Sequence, residues 1–491
     1  MKKFKKLLLI LMLLPCIFLC NACNLIEKKE AYVTAIEKTA VVGDISTYTI
    51  FFSNGTHSTL TITDGKDGED GKDLTIESIK SYCSTNNINF ESFLKEYLTI
   101  VQVVEKSPNI QDATNLALQS TVSVWCEFPQ SDYRGTNKET DVGCGAGVIY
   151  KMTETYSYII TNFHVVYLKN CDTETDIAKE IHVFQYGTSE KAYKLTEDNG
   201  SGKQVTVYDE SGYPEIVYGH GAVEATYIGG ELKYDLAVLK VETAELLKYN
   251  PSAKPVEVAS DYSIGESVIA IGNPECEGTS VTSGIVSVIS ETLEMYGADE
   301  TTKCSFRVMR IDAAVNGGNS GGGLFNLYGQ FIGTVNAKVV ASNIDNIAYA
   351  LPCDNVTAVV DNLLYYYNGT SPSNVKKLYL GISYTSENSH PVYDIETNRT
   401  IIIDDLVVAG IEVGSVAENM KFAVGDIIKS ISINGIVYEI ERSYQLPDLL
   451  LKVHAGDKII INVQREGLNE LKSLAIASEE GVIESYLKTM S

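Results

Sequence analysis

A cluster of glycines around one serine is the feature that most restricts how this chain can fold. The segment Asp312 to Leu324 holds five glycines among the seven residues 317 to 323, with Asn319 and Ser320 between them. Glycine adopts backbone angles that other residues avoid, and it lets a second molecule approach the backbone closely. The segment therefore indicates a tight turn. Taken alone, it is as consistent with a structural loop as with a reactive site.

Two other segments place a histidine and an aspartate at the ends of apolar runs. The run Ile159 to Val166 carries His164, and the run Tyr234 to Val241 carries Asp235 near its start. Taken alone, a histidine in an apolar run is more often a core residue, and an aspartate before a strand is more often a turn or capping residue. Together with Ser320, however, they supply the base, the carboxylate and the nucleophile that amide hydrolysis by serine requires.

This chemistry gives each residue type one role. His164 would take the proton of Ser320, and Asp235 would hold the imidazole in one tautomer. The backbone amides of Gly318 and Ser320 would bind the developing oxyanion. The chain order of histidine, aspartate and serine is that of chymotrypsin, and it differs from the orders of subtilisin and the α/β-hydrolases.

The same segments, with two more, resemble the HtrA (Deg) type of trypsin-like serine protease. The resemblance covers about residues 112 to 361 and rests on four stretches: Ile159 to Val166, Tyr234 to Val241, Ala270 to Ser287, and Asp312 to Leu324 with Gln330 to Lys338. It implies a mostly β, chymotrypsin-like double β-barrel and a serine endopeptidase with His164, Asp235 and Ser320 as its triad. The scattered histidines, and the absence of CxxC spacing among the seven cysteines that follow Cys23, predict no metal site, and no cofactor is expected.

The residues around the nucleophile indicate a specificity. Ala314 stands six residues before Ser320, where trypsins that cut after Arg or Lys carry an aspartate. A lysine side chain there would lack a counter-charge, so the sequence predicts cleavage after small or medium apolar residues. Val315 and Asn336 are assigned to the same pocket. Asn319 is neutral where zymogen-type enzymes carry an aspartate, so loop ordering is a more natural control than proteolytic activation.

Two departures from the family pattern limit what the resemblance implies. Gly317 and Gly323 stand where the family usually has prolines, which predicts a more flexible nucleophile loop and a less preorganised oxyanion hole. Cys144 matches a cysteine that often bridges to the residue after the catalytic histidine. That residue is Val165 here, which leaves Cys171 as a substitute partner.

The C-terminal part resembles a PDZ domain. The resemblance rests on a series of short segments in order: Leu378 to Ile382, Val413 to Ala417, Val424 to Ile428, Ile433 to Gly435 and Gly456 to Ile459. It implies that the amides of Leu380, Gly381 and Ile382 receive the carboxylate of a peptide C-terminus while the peptide adds as an extra strand. The alternative is a rigid β appendage that binds nothing.

The N-terminal segment indicates export. Met1 to Ala22 combines four lysines with an apolar run, which is typical of a secretory signal. Leu19 to Cys23 resembles a bacterial lipobox, so Cys23 is the predicted site of lipid attachment, with ordinary cleavage and release as the alternative. The net charge is −25, and loss of the four lysines makes the mature chain more acidic still. Such a charge argues against nucleic acid as a partner and leaves the lipid alone to hold the protein at a membrane.

The 491 residues predict about three domains at roughly 150 residues each. The predicted order is a lipoprotein signal (1–22), a small β module with a hairpin (23–63), a Gly-x-x linker (64–73), a helical spacer (74–110), the protease domain (111–366), a linker (367–377), the PDZ domain (378–478) and a tail (479–491).

The sequence therefore predicts an extracytoplasmic, lipid-anchored serine endopeptidase that cuts unfolded or damaged exported proteins. Two alternatives remain: a chaperone or peptide-binding scaffold with weak proteolysis, and a processing protease with one substrate. The long stretch 167 to 231 favours a surface insertion over an exosite. A homotrimer is implied by the family resemblance.

Overall fold

The structure, a computed structural model, describes residues 108–336, 347–395 and 397–476 in full, together with the backbone of four strands outside those ranges. The chain divides into one unit that ends at Ser107 and a second that begins at Pro108. The predicted signal segment, the lipid-attachment site Cys23, the Gly-x-x linker and residues 74–107 of the predicted spacer lie outside the described residues.

The first unit contains a three-stranded antiparallel sheet. Its strands are β1 (Val33–Val42), β2 (Ile45–Phe52) and β3 (His57–Thr63), hydrogen-bonded in that order. Tyr48 pairs with Leu60 and Ile50 with Ser58, which confirms the hairpin predicted from the alternating pattern. The predicted Asn54-Gly55 turn lies outside the described residues.

The second unit begins with a short helix. Helix α1 (Ile110–Ala117) is capped by the side chain of Asn109, which accepts a hydrogen bond from the backbone amide of Asp112. Asp112 lies inside the first turn, where its carboxylate accepts a hydrogen bond from the Asn109 side chain.

Seven strands form the first large sheet, in the order β12-β7-β4-β5-β6-β14-β13. They are β4 (Thr121–Ser131), β5 (Lys138–Met152), β6 (Tyr156–Thr161), β7 (Glu180–Gln185), β12 (Val223–Glu224), β13 (Thr226–Glu231) and β14 (Leu236–Glu242). Helix α2 (Phe163–Val166) follows β6, and helix α3 (Thr243–Tyr249) follows β14.

The predicted insertion 167–231 is only partly an insertion, because it supplies strands β7, β12 and β13 of this sheet. Its additional part forms two small antiparallel pairs, β8 with β11 and β9 with β10. These strands are β8 (Ala192–Lys194), β9 (Thr196–Asp198), β10 (Gln204–Thr206) and β11 (Ile216–Tyr218).

Six strands close into a second barrel in the order β15-β16-β17-β20-β19-β18. They are β15 (Ser267–Gly272), β16 (Ser280–Tyr296), β17 (Lys303–Ile311), β18 (Gly323–Asn326), β19 (Phe331–Val335) and β20 (Ala348–Pro352). Ile160 and Val238 of the first sheet pack in one apolar cluster with Ile269 and Phe325 of the second barrel. The fold is the mostly β, trypsin-like double barrel that the sequence predicts.

Helix α4 (Cys353–Tyr366) leads to a C-terminal lobe that starts with β21 (Lys376–Leu378), which pairs with β28 (Leu487–Thr489). The main sheet of the lobe has the order β22-β23-β24-β26-β27, with β25 on β24. Its elements are β22 (Ile382–Asp394), β23 (Arg399–Ile411), α5 (Val416–Asn419), β24 (Ile427–Ile433), β25 (Ile436–Glu439), α6 (Gln445–Leu449), β26 (Ile459–Gln464) and β27 (Lys472–Ala475).

The segment predicted as a linker, 367–377, packs against the barrels over part of its length. The backbone amide of Ser373 donates to the carbonyl of Ile228 at 2.8 Å, and its hydroxyl donates to the carbonyl of Leu363 at 2.7 Å. Val375 is fully buried in the same apolar cluster as the barrel strands. The polar composition of this segment therefore reflects buried hydrogen bonds as well as exposed turns.

Candidate active site

The three residues that the sequence singles out meet at the junction of the two barrels. His164 lies on α2 directly after β6, Asp235 lies in the turn between β13 and β14, and Ser320 lies in the turn before β18. The Nε2 atom of His164 is 2.8 Å from the Oγ atom of Ser320, and its Nδ1 atom is 2.7 Å from the Oδ2 atom of Asp235. These distances allow a proton to pass from serine to imidazole while the carboxylate orients the ring.

The carboxylate of Asp235 is held from several sides. Its Oδ1 atom accepts a hydrogen bond from the backbone amide of His164 at 3.0 Å, and its Oδ2 atom accepts one from the side chain of Asn336 at 2.9 Å. The side chain of Asn162 donates to the Asp235 carbonyl at 2.8 Å. Asp235 is buried and has a φ of 51°, a conformation more typical of asparagine, aspartate and glycine. The turn therefore fixes the carboxylate in one orientation.

Sequence reasoning missed the roles of Asn162 and Asn336 as residues that position Asp235. Asn162 stands in the apolar run two residues before His164, and an asparagine in such a run is a signal of a buried hydrogen bond. Asn336 is predicted to line the specificity pocket, and the structure shows that its side-chain amide donates a hydrogen bond to Asp235. The sequence gives no sign of that pairing, since the two residues lie in different barrels.

The glycine-rich turn packs tightly against its neighbours. A Cβ atom on Gly318 would lie 2.0 Å from the carbonyl oxygen of Asn273, and one on Gly321 would lie 2.2 Å from that of Ala146. Both glycines have positive φ, 91° and 83° respectively. The backbone amide of Ala146 donates to the Ser320 carbonyl at 2.8 Å. These contacts explain why the turn needs glycine at both positions.

The two glycines that replace the family's prolines have definite contacts. The Gly317 carbonyl accepts a hydrogen bond from the backbone amide of Glu275 at 2.8 Å. A Cβ atom on Gly323 would lie 2.3 Å from the ring of Phe325, so packing requires glycine there. The loop flexibility expected at Gly317 and Gly323 is thus opposed by contacts that the sequence does not reveal.

The pairing of Cys144 differs from the expected one. Cys144 on β5 forms a disulfide with Cys276, at the end of the 3-10 turn Pro274–Cys276, with a Cα to Cα distance of 5.9 Å. The expectation that Cys171 is the partner is wrong: Cys171 is a free, buried cysteine. The turn that carries Cys276 lies beside β5 across the junction of the barrels, which sequence spacing cannot indicate.

A cavity of about 580 Å³ opens beside the serine. Its walls include His164, Val165, Gly318 and Ser320, together with Phe128, Asp141, Val142, Gly143, Cys144, Tyr167, Leu168 and Gly317. Gly318 and Ser320, whose amides are the predicted oxyanion donors, thus face the same space as His164. Within the described residues, no group accepts a hydrogen bond from the backbone amide of Gly318.

The predicted pocket residues Ala314 and Val315 precede this turn. Ala314 is exposed, and its carbonyl accepts a hydrogen bond from the hydroxyl of Thr282 at 2.8 Å, while Val315 is buried. Neither residue is charged, and residues 337–346 lie outside the described part of the chain. Across the described ranges, no three His, Cys, Asp or Glu side chains come together in a way that could hold a metal ion.

The geometry agrees with comparisons to known proteins. Residues 145–333 match the family of trypsin-like peptidase domains. The chain is 28% identical over 391 residues to the serine protease Do-like HtrA of Bacillus subtilis (strain 168), covering 77% of this chain and 72% of that protein. It is 31% identical over 331 residues to the serine protease Do-like HtrB of the same strain. These matches support an HtrA-type serine protease.

On the same matches, the chain is supported as a serine endopeptidase. It spans 59% of the length of the Bacillus HtrB protein and 27% of the serine protease HtrA-like protein of Staphylococcus aureus (strain MRSA252). Among solved structures it is similar to "HtrA-type protease AlgW with decapeptide", at 20% identity and a TM-score of 0.44, over 75% of this chain and 97% of that one. None of the helices in the described ranges combines the length and hydropathy that a membrane span requires.

Proposed function

We propose that this HtrA-type endopeptidase hydrolyses peptide bonds with Ser320 as nucleophile, His164 as general base and Asp235 as the carboxylate that orients the base. The observation that carries the proposal is the pair of short contacts on opposite sides of one imidazole, 2.8 Å to Ser320 and 2.7 Å to Asp235. With Nδ1 donating to Asp235, Nε2 is the atom left to accept the serine proton.

The first half-reaction transfers the acyl group to the enzyme. As the Ser320 oxygen attacks the carbonyl carbon, its proton passes to His164, and the amides of Gly318 and Ser320 donate hydrogen bonds to the oxyanion. The protonated His164 then gives that proton to the leaving amine. Water enters, loses a proton to His164 and releases the acyl group, which restores the starting state.

The proposed substrates are unfolded or damaged exported polypeptides cut after small or medium apolar residues. Ala314 and Val315 support this specificity, because a basic side chain beside them would find no carboxylate on either residue. A chaperone or peptide-binding scaffold with weak proteolysis is less favoured, since the contacts of His164 with Ser320 and Asp235 are already those that catalysis needs. A processing protease with one substrate differs from the proposal only in the breadth of cleavage.

Digestion of β-casein tests the reaction and its breadth. The full chain should cut unfolded casein at many apolar sites and leave a folded control protein intact, whereas Ser320→Ala should lose about 10⁴-fold or more of the rate. Ser252→Ala, at an exposed turn serine, is the matched control and should keep full activity. Retained activity in Ser320→Ala contradicts the mechanism, and a strong preference for Arg or Lys contradicts the specificity.

We also propose that the C-terminal lobe is a PDZ domain that binds peptide C-termini at Leu380, Gly381 and Ile382. Three features support it. Gly381 has a φ of 74°, and the carbonyls of Leu380 and Gly381 accept hydrogen bonds from Ala417 and Glu412. Among the described residues, no group accepts a hydrogen bond from the backbone amides of Leu380 and Gly381. The strand β22 lies at the edge of its sheet, and no described strand pairs with its outer side. An extended peptide could add there as a strand.

Fluorescence anisotropy tests the peptide site. A labelled peptide with an apolar C-terminal residue and a free carboxylate should bind the Ser320→Ala protein, and its C-terminal amide should bind at least about 10-fold more weakly, because a charge-assisted hydrogen bond is lost. Gly381→Val should also weaken binding, since a Cβ at this position would lie 2.3 Å from that of Ser415. Equal binding of acid and amide indicates the rigid appendage instead.

For location, we propose an extracytoplasmic protein held at a bacterial membrane by lipid on Cys23. The lipobox-like segment supports lipid attachment, and the Cys144–Cys276 disulfide supports an oxidising compartment. Mass spectrometry of the mature N-terminus should find diacylglycerol on Cys23, and Cys23→Ser should release the protein. A mature N-terminus without lipid, at a residue other than Cys23, indicates the alternative of ordinary cleavage and release.

A further inference from the structure

The disulfide between Cys144 and Cys276 joins the two barrels beside the nucleophile. Cys144 lies on β5, and two residues later the amide of Ala146 donates to the carbonyl of Ser320 at 2.8 Å. Cys276 ends the 3-10 turn Pro274–Cys276, which connects β15 to β16. One strand thus holds Ser320 by a hydrogen bond and holds this turn by a covalent bond.

The Pro274–Cys276 turn, together with the preceding Asn273, is hydrogen-bonded to the residues that come just before Ser320. The amide of Glu275 donates to the carbonyl of Gly317 at 2.8 Å, and the amide of Asn273 donates to the carbonyl of Gly318 at 3.2 Å. These two hydrogen bonds fix the planes of the peptide groups that follow Gly317 and Gly318. The amide of Gly318 belongs to the first of these groups, so its direction depends on the bond from Glu275.

The turn is in a conformation that needs support from its surroundings. Glu275 and Cys276 both have positive φ, 54° and 59°, in consecutive residues that are not glycine. Such residues keep this conformation only where neighbouring contacts impose it. The contacts here are the disulfide and three hydrogen bonds. One runs from the Gly278 amide to the Asn273 side chain at 2.7 Å, and the other two are those to the carbonyls of Gly317 and Gly318.

We propose that the Cys144–Cys276 disulfide is a positioning element for the oxyanion hole, so that the oxidised protease is the active form and reduction lowers its turnover. The inference rests on the proposed role of Ser320 and Gly318. When the bridge opens, the 274–276 turn loses its covalent tie to β5, and the bond that aligns the Gly318 amide is no longer enforced. The contacts of His164 with Asp235 do not involve the turn.

The chemistry of opening the bridge is ordinary thiol exchange. A dithiol in solution attacks one sulfur to form a mixed disulfide, and its second thiol then releases the protein, so the dithiol is oxidised and both cysteines gain a hydrogen. Cys144 and Cys276 are half-buried, whereas the other cysteines that the structure describes are buried: Cys126, Cys171, Cys304 and Cys353. Reagents in solution should therefore reach the bridge first.

The test compares kcat and KM of the full chain on a fluorogenic peptide with valine before the cut bond, before and after treatment with a dithiol. We expect kcat to fall by about 10- to 100-fold with KM changed less than about twofold, because the oxyanion is bound mainly in the transition state. Alkylation and mass spectrometry should find the label on Cys144 and Cys276, and reoxidation should restore kcat.

Two variants make the result specific. Cys144→Ser/Cys276→Ser should show the lowered kcat without reductant and no further response to it, whereas Cys171→Ser should behave like the original protein. A peptide aldehyde, whose adduct carries an oxyanion, should lose affinity in parallel with kcat, and the matching peptide alcohol should not.

An unchanged kcat after both cysteines are alkylated overturns the inference, and so does a loss confined to KM. Should the double variant fail to fold, reversible reduction of the original chain still decides. Absence of Ser320-dependent activity in the oxidised protein is a different outcome, which contradicts the proposed function itself.

Discussion

The side-chain amide of Asn336 donates a hydrogen bond of 2.9 Å to the Oδ2 atom of Asp235, the same oxygen that lies 2.7 Å from Nδ1 of His164. Asn336 directly follows β19 of the second barrel, whereas Asp235 and His164 belong to the first. The second barrel therefore contributes a group that positions the carboxylate, in addition to the proposed nucleophile Ser320.

Asn336→Ala removes this donor and should lower kcat/KM by about 10-fold, which corresponds to about 1.4 kcal/mol for one hydrogen bond to a charged group. The loss should lie mainly in kcat, because the amide supports Asp235. Asn326→Ala is the matched control: Asn326 is equally buried in the same barrel, but its bonds stay within the turn to Gln330. Equal loss of kcat in both variants argues for general destabilisation instead.

Glu231 should make stability depend on pH. It is buried at the end of β13, and burial raises the pKa of its carboxyl from 4.5 to about 7. Because the folded state holds the proton more tightly than the unfolded state, the free energy of unfolding falls as pH rises from about 4.5 to about 7.

Glu231→Gln should therefore stabilise the protein at pH 8 by about 1–3 kcal/mol and have little effect near pH 4.5, where the original side chain is already neutral. Urea unfolding at both pH values measures this. Exposed Glu466 provides the control variant Glu466→Gln. A Glu231→Gln effect that is the same at both pH values is incompatible with a buried, titrating carboxyl.

Arg307, on β17 of the second barrel, connects that barrel to the C-terminal lobe. Its guanidinium contacts Asp354 on α4 at 2.8 Å and also contacts Asp448 on α6. Asp448 is buried, its other oxygen accepts a hydrogen bond from Asn355 at 2.7 Å, and burial raises the pKa of its carboxyl. The interface thus contains a carboxylate that depends on the arginine for compensation.

Arg307→Met should destabilise the chain by about 3–5 kcal/mol, because it leaves Asp448 buried without its cation. The double variant Arg307→Met/Asp448→Asn should recover most of the loss. Lys248→Met, which breaks the exposed pair with Glu245, should leave the unfolding midpoint unchanged. Thermal unfolding by calorimetry measures the stability of all three variants. If the effects of Arg307→Met and Asp448→Asn on stability are additive, the two side chains are not directly paired.

Much of the fold, and the residues that the structure brings together at the candidate site, could be predicted because their signals are local. His164, Asp235 and Ser320 each lie in a recognisable segment, and the β-branched runs around them form the barrel strands. Asn336 and the Cys144–Cys276 pair could not be found this way, since each joins residues from different barrels. Their partners depend on how the barrels meet, which no short sequence window contains.

The same limit applies to the boundary between the lobes. The polar stretch around Ser373 has the composition of a linker. The hydroxyl and the backbone amide of Ser373 nevertheless donate hydrogen bonds to the carbonyls of Leu363 on α4 and Ile228 on β13. Polar residues satisfy buried backbone groups as readily as they face water. Composition alone therefore predicted a looser connection than the structure has.

The account depends most directly on the reactivity of Ser320. A fluorophosphonate probe, which bonds to serines activated by a neighbouring base, should label the full chain at one residue, mapped by mass spectrometry to Ser320. His164→Ala, with folding verified by its unfolding midpoint, should reduce the labelling rate by about 10³-fold or more. Equal labelling of the original chain and His164→Ala, or no label on Ser320 in the oxidised protein, would contradict the proposed mechanism.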